Sequence, residues 1–156
     1  MMQNAFMVAL IGWIVLTFMA PLAGFRARPD AWFSRLNKPA WNPPSWVFGP
    51  VWTMLYLLMA IAAWIVWTHG GWRGQALPLG LYIVQLFLNA IWTPLFFGAH
   101  RLGLAFLDVA VLWLAILATV IAFANVTVVA GCLLLPYLAW VGFASILNFR
   151  IWRLNT

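Results

Sequence analysis

The chain has 156 residues, of which 67% are hydrophobic and only 6% charged, whereas a soluble domain carries about a quarter charged residues. That inventory is too poor in polar groups to cover a water-facing surface, so lipid is the expected solvent, and the length suits a single domain, residues 1–156. The formal net charge is +6, but the eight basic residues stand in short gaps between apolar runs, which argues against nucleic acid as a partner and fits cations that orient membrane helices.

A membrane helix needs about 20 predominantly apolar residues. Five runs qualify, at about 4–25, 45–67, 76–97, 103–124 and 128–149. The first has no basic residue ahead of it, and Arg26 and Arg28 follow it. That is the reverse of a secretory signal, so it reads as a retained span. Residues 26–44 form the longest connection and alone have the length to fold over a mouth of the bundle. In the second run, "NPP" reads as a helix start, with Asn42 as N-cap and Pro43 at the first helical position. Pro50, Pro94 and Pro136 fall inside the second, third and fifth runs and are expected to bend them. The last two gaps are short, which makes helices three to five antiparallel neighbours. The lone Cys132 lies in an apolar run and reads as a small buried hydrophobe. The expected fold is therefore an all-α integral membrane protein, a five-transmembrane-helix bundle with a lid-like first loop.

Five spans place the termini on opposite sides. Arg73 is then the sole basic residue on the N-terminal side, while Arg26, Arg28, Arg35, Lys38, Arg101, Arg150 and Arg153 share the other. In a bacterial-type inner membrane this bias puts the first loop and the C-terminus in the cytoplasm.

Material for acid–base or metal catalysis is scarce. The two acidic residues, Asp30 and Asp108, lie away from the midplane, where a proton-coupled carrier places one. No lysine lies within a span, and His69 and His100 fall in loops on opposite sides. No obligatory cofactor or metal site is expected. Aromatic surface is abundant instead, with twelve tryptophans and twelve phenylalanines. Trp32, Trp41, Trp46, Trp67, Trp72 and Trp152 suit the membrane interface, whereas Trp52, Trp92 and Trp140 lie deeper. Phe48, Trp52 and Tyr56 recur on one face of helix two, Asn89, Trp92 and Phe96 on helix three, and Trp140, Ala144 and Leu147 on helix five. Facing stripes of this kind are either the wall of a cavity for flat apolar ligands or solid bundle core, with Asn89 bonded between helices.

Three segments, "KPAWNPPSWVFGPVWTMLY" (38–56), "LNAIWTPLFFGAHRLGLAFLD" (88–108) and "PYLAWVGFASILNFRIW" (136–152), resemble in order those of the TspO/translocator protein family, also called tryptophan-rich sensory proteins or peripheral benzodiazepine receptors. The resemblance implies five helices around a cavity closed by the first loop, a receptor, sensor or carrier role, and binding of protoporphyrin IX, haem, isoquinoline and benzodiazepine drugs, and sterols. It carries the family's ligand-binding positions onto Phe33, Pro43, Phe48, Trp52, Tyr56, Asn89, Trp92, Trp140, Ala144 and Leu147. It also implies a homodimer with helix three prominent. Some bacterial members promote light-dependent porphyrin breakdown, attributed to tryptophans matching Trp52 and Trp140, so porphyrin degradation and facilitated transport of porphyrin or sterol stand as alternatives. The family's sterol motif falls on Leu147, Phe149 and Arg153, with phenylalanine in place of tyrosine, so tight sterol binding is not expected. Leu104 stands where animal members have tryptophan.

Overall fold

A computed structural model describes residues 2–24 and 29–156. It is a helical bundle in which five helices are long and apolar enough to cross a membrane: Asn4–Gly24, Ser45–Thr68, Ala76–Gly98, Leu102–Val126 and Val128–Leu154. Their elements are α1 (Met2–Met19), which ends in the 3₁₀ turn Ala20–Gly24; α3 (Ser45–Thr68); α5 (Ala76–Thr93), which ends in a π turn, Pro94–Gly98; α6 (Leu102–Val126); and the pair α7 (Val128–Leu133) and α8 (Leu135–Leu154). Two short helices, α2 (Ala31–Arg35) and α4 (Gly71–Gly74), lie in the connections. Arg26 and Arg28 fall outside the described residues.

The outer surface explains the composition. Met7, Val8, Leu77, Phe87 and Val128 are each more than 60% exposed, which only an apolar solvent tolerates at this density. Inside, α1 packs on α3, α3 touches α7 and α8, α8 packs on α6, α6 on α5, and α5 meets the 3₁₀ end of α1. The ring thus closes in the order one, two, five, four, three. Small residues allow close approach. Gly131 comes so near Ala124 that a Cβ on it would lie 2.7 Å from the Ala124 side chain. Trp64 donates its indole N–H to the Phe6 carbonyl at 3.1 Å and ties α3 to α1.

The proline-rich start of the second span differs from expectation. Helix α3 starts at Ser45, with Pro44 in extended geometry at its N-cap, not with Asn42 as cap and Pro43 first. A residue before proline is driven out of the helical region, so Pro44 excludes Pro43 from the helix. Near Pro136 the fifth span divides into two helices, the second starting at Leu135 after the turn at Leu134. Pro94 opens the π turn. The fifth span also runs to Leu154, beyond the expected 149, because its last turns carry Arg150 and Arg153 outward while Ile151 stays buried. Cys132 is exposed rather than buried, since α7 turns Ala130 and Gly131 inward.

Candidate functional site

Within the half of the bundle that holds the first loop lies a cavity of about 510 Å³, inside the range of pockets that hold drug-sized ligands. Helix α3 contributes Phe48, Gly49, Trp52 and Tyr56 from its first three turns, one face at four-residue spacing. The C-terminal half of the third span contributes Asn89, Trp92, Thr93 and Phe97. Helix α8 adds Trp140, Val141 and Ala144, and α6 adds Val109 and Leu112. Pro21, Pro29, Phe33 and Ser45 complete the lining.

The aromatic rings brace one another. Trp52 stacks on Tyr56 at 5.3 Å, and Phe48 meets Trp140 edge-on at 5.8 Å. Phe33 of α2 stands edge-on to Phe97 at 5.2 Å, with the Lys38 ammonium 4.6 Å above its ring. Such contacts hold flat walls in fixed orientation.

Beneath this cavity a hydrogen-bond ladder crosses three helices. Tyr56 donates its hydroxyl to Asn89 Oδ1 at 2.8 Å. Asn89 Nδ2 donates to the Tyr137 hydroxyl at 3.1 Å, which donates onward to Gln85 Oε1 at 2.8 Å. All four side chains are buried, and the ladder pairs polar groups that would otherwise be costly in this medium, with Gln85 Nε2 alone among its amide groups left without a partner. Asn89 is thus an interhelical partner and a wall residue at once. Trp92 is engaged as well: its indole N–H donates to Asn148 Oδ1 at 3.0 Å, and Asn148 Nδ2 donates to the Leu102 carbonyl at 3.0 Å. The Trp140 indole nitrogen differs from that of Trp92 and, like Gln85 Nε2, is buried with no partner.

Of the residues singled out in the sequence, Phe33, Phe48, Trp52, Tyr56, Asn89, Trp92, Trp140 and Ala144 come together on this one cavity. Pro43 and Leu147 are not among its lining residues. Leu147 is buried in a second apolar cluster with Phe96, Leu102, Ala105 and Ile151. Phe149 and Arg153 lie exposed, away from Leu147, because Phe149, two residues along the helix, is turned to the far face and Arg153, four further on, shares the face of Phe149. Leu104 is half exposed, at 50%, and lies off the cavity. Sequence reasoning missed Phe97, Val109, Leu112 and the ladder residues Gln85 and Tyr137. Val109 and Leu112 were detectable as part of the Ala105, Val109, Leu112, Ile116 stripe, and Gln85 as the polar residue one turn before Asn89.

The first connection packs its aromatic side chains on the bundle, Trp32 and Phe33 on Phe96 and Trp41 on Phe143, and polar groups tie it at each end. Asp30 caps α2 by accepting the Phe33 N–H at 3.1 Å, its carboxylate lies 3.7 Å from His100 Nε2, and Trp32 stacks on the His100 ring at 3.9 Å. Farther on, the Asn37 N–H donates to Asn155 Oδ1 at 3.0 Å, and Asn155 Nδ2 donates back to the Asn37 carbonyl at 2.9 Å.

Residues 5–153 match the model of the TspO/MBR family. The chain is 46% identical over 147 residues to a tryptophan-rich sensory protein of Cereibacter sphaeroides, covering 91% of each. It is 46% identical over 126 residues to the translocator protein of Homo sapiens, covering 80% of this chain and 75% of that one. It is also 44% identical to the tryptophan-rich protein TspO of Chlorobaculum tepidum over 135 residues, 84% of each. With five membrane-length helices and a match across nearly its whole length, this is an integral multi-pass membrane protein that belongs to the TspO/MBR family.

Proposed function

We propose that the protein is a membrane receptor or carrier that takes flat, largely apolar ligands of the porphyrin and isoquinoline classes into the cavity between its helices. The observation that carries this reading is the wall itself: parallel and edge-on aromatic rings around about 510 Å³, with one buried indole N–H, that of Trp140, left unpaired. Family membership supports small apolar ligands, and a wall of rings suits flat ones. Protoporphyrin IX offers a planar macrocycle of the right class, with acceptor groups for a single donor. Saturable quenching of tryptophan fluorescence by protoporphyrin IX tests it, with affinity reduced in Trp140→Phe; linear, unsaturable quenching in the wild type rules it out.

In this reading the first connection acts as a lid. Pro29 and Phe33 line the cavity, and the ties to His100 and Asn155 are a few side-chain contacts that can open without unfolding the bundle. The lid and the C-terminus face the cytoplasm, which reporter fusions at Thr156 test. A homodimer through α5 is supported by its outward stripe of Leu77, Val84 and Phe87 beside Gly80, which has open space around it. Cross-linking from Gly80→Cys tests that arrangement.

A second reading, light-driven porphyrin breakdown, is favoured by the presence of both Trp52 and Trp140 on the cavity wall. Illumination under oxygen separates the two. If Trp52→Phe/Trp140→Phe bleaches bound porphyrin as fast as the wild type, the indoles take no part.

A further inference from the structure

An unbroken α-helix would carry the stripe of Asn89 and Trp92 on to Phe96, four residues further along. The third span does not stay α-helical. Pro94 has no N–H to give the Ala90 carbonyl and its ring crowds that turn. The chain widens there into a π turn, Pro94–Gly98, closed by the Ala99 N–H on the Pro94 carbonyl at 2.8 Å. The Arg101 N–H then bonds the Leu95 carbonyl at 3.0 Å, and His100 ends the turn at φ +55. A π turn holds one extra residue and is often found where function needs a side chain re-aimed. Across this turn the wall is continued by Phe97, four residues beyond the lining Thr93, and not by Phe96. Phe97 lines the cavity, while Phe96 is only 2% exposed in the second apolar cluster.

Phe97 also faces the first connection, edge-on to Phe33 at 5.2 Å, and stands 6.0 Å from the Trp92 ring. It therefore sits between the deep wall and the segment that covers the cavity. We propose that the Pro94 π turn makes Phe97 the width-determining residue of this site, favouring narrow bicyclic aromatic ligands over tetrapyrrole macrocycles. The inference rests on the reading of the cavity as a ligand site. A bicyclic ring gains an edge contact from Phe97 and fits beside it, whereas a macrocycle has to displace it. Pro94 is a positioning residue and Phe97 the group that meets the ligand.

The test compares two probes, protoporphyrin IX and an isoquinoline carboxamide, by tryptophan quenching in the full-length protein. Phe97→Ala weakens the isoquinoline by about tenfold, the value of one lost aromatic contact, while protoporphyrin IX binds at least as well as before. Phe97→Leu, which keeps apolar bulk, shifts the ratio of affinities in the same direction. Phe96→Ala lowers thermal stability but leaves the ratio unchanged. In a Pro94→Ala background the roles exchange, and Phe96→Ala then shifts the ratio while Phe97→Ala does not. An unchanged ratio in both Phe97 variants overturns the proposal, as does an equal shift from Phe96→Ala in the otherwise wild-type protein. Retention of the wild-type pattern in Pro94→Ala overturns the part given to the π turn. Failure of both probes to quench saturably in the wild type removes the ligand site itself, a result distinct from an unchanged ratio.

Discussion

Tyr137 is the joint of the buried ladder, accepting from Asn89 and donating to Gln85. Tyr137→Phe leaves two buried groups without partners, at a cost of about 3 kcal/mol, whereas Tyr56→Phe strips only Asn89 Oδ1 and costs about half as much. Thermal unfolding in detergent should place Tyr137→Phe well below Tyr56→Phe, and the reverse order contradicts the ladder. Spacing in the sequence marks Tyr56 and Asn89 as polar handles on inward faces. It does not reveal that they hold each other, because Tyr137 lies 48 residues beyond Asn89. Among the described residues two buried donors are left without partners, Gln85 Nε2 and Trp140 Nε1; only Trp140 lines the cavity, so Trp140→Phe should weaken a ligand whose acceptor reaches that nitrogen by about tenfold, one hydrogen bond's worth. A ligand without an acceptor should bind Trp140→Phe and wild type alike, measured by the same fluorescence titration.

At the scale of elements, the ends of helices govern how the first connection is held. The αL backbone of His100 is unusual for a residue with a side chain, and the stack with Trp32 at 3.9 Å helps hold it. Asn155 completes the second tie from the end of α8. In Asn155→Ala the Asn37 amide loses its acceptor and should exchange with solvent deuterium about tenfold faster, with the spans unaffected; unchanged exchange at Asn37 shows the tie to be inert. Helix contacts are equally specific. Gly131→Val places a branched side chain where even a Cβ lies 2.7 Å from Ala124, and should destabilise the α6–α7 hairpin by about 2 kcal/mol, read as a lower unfolding temperature. The existence and number of spans are legible from hydrophobic runs alone, but their ends are not. Pro44 delays α3 through its steric effect on Pro43, Pro94 widens a turn, and α8 continues past Phe149 because arginines project outward there.

On the scale of the whole molecule, the bundle is solid at one end and hollow at the other. Below the ladder, Met59, Ala62, Ala63, Val66, Leu79, Tyr82 and Phe123 close into a core with almost no exposure. Above it, the aromatic faces of α3, α5 and α8 stand apart around the cavity. Sequence periodicity identifies those faces, yet whether they meet or part depends on ring order and on the turns at Pro94 and Leu134, which are properties of the assembled chain. Ala144 marks the hollow directly: it lines the cavity as a small residue on α8, and the space before it accommodates a larger side chain. The decisive measurement is therefore a protoporphyrin IX titration of Ala144→Phe beside the wild type, with unfolding temperature followed in parallel. A ligand held inside the bundle predicts affinity reduced by at least about tenfold with the unfolding temperature kept, whereas wild-type affinity in a folded Ala144→Phe protein contradicts the account.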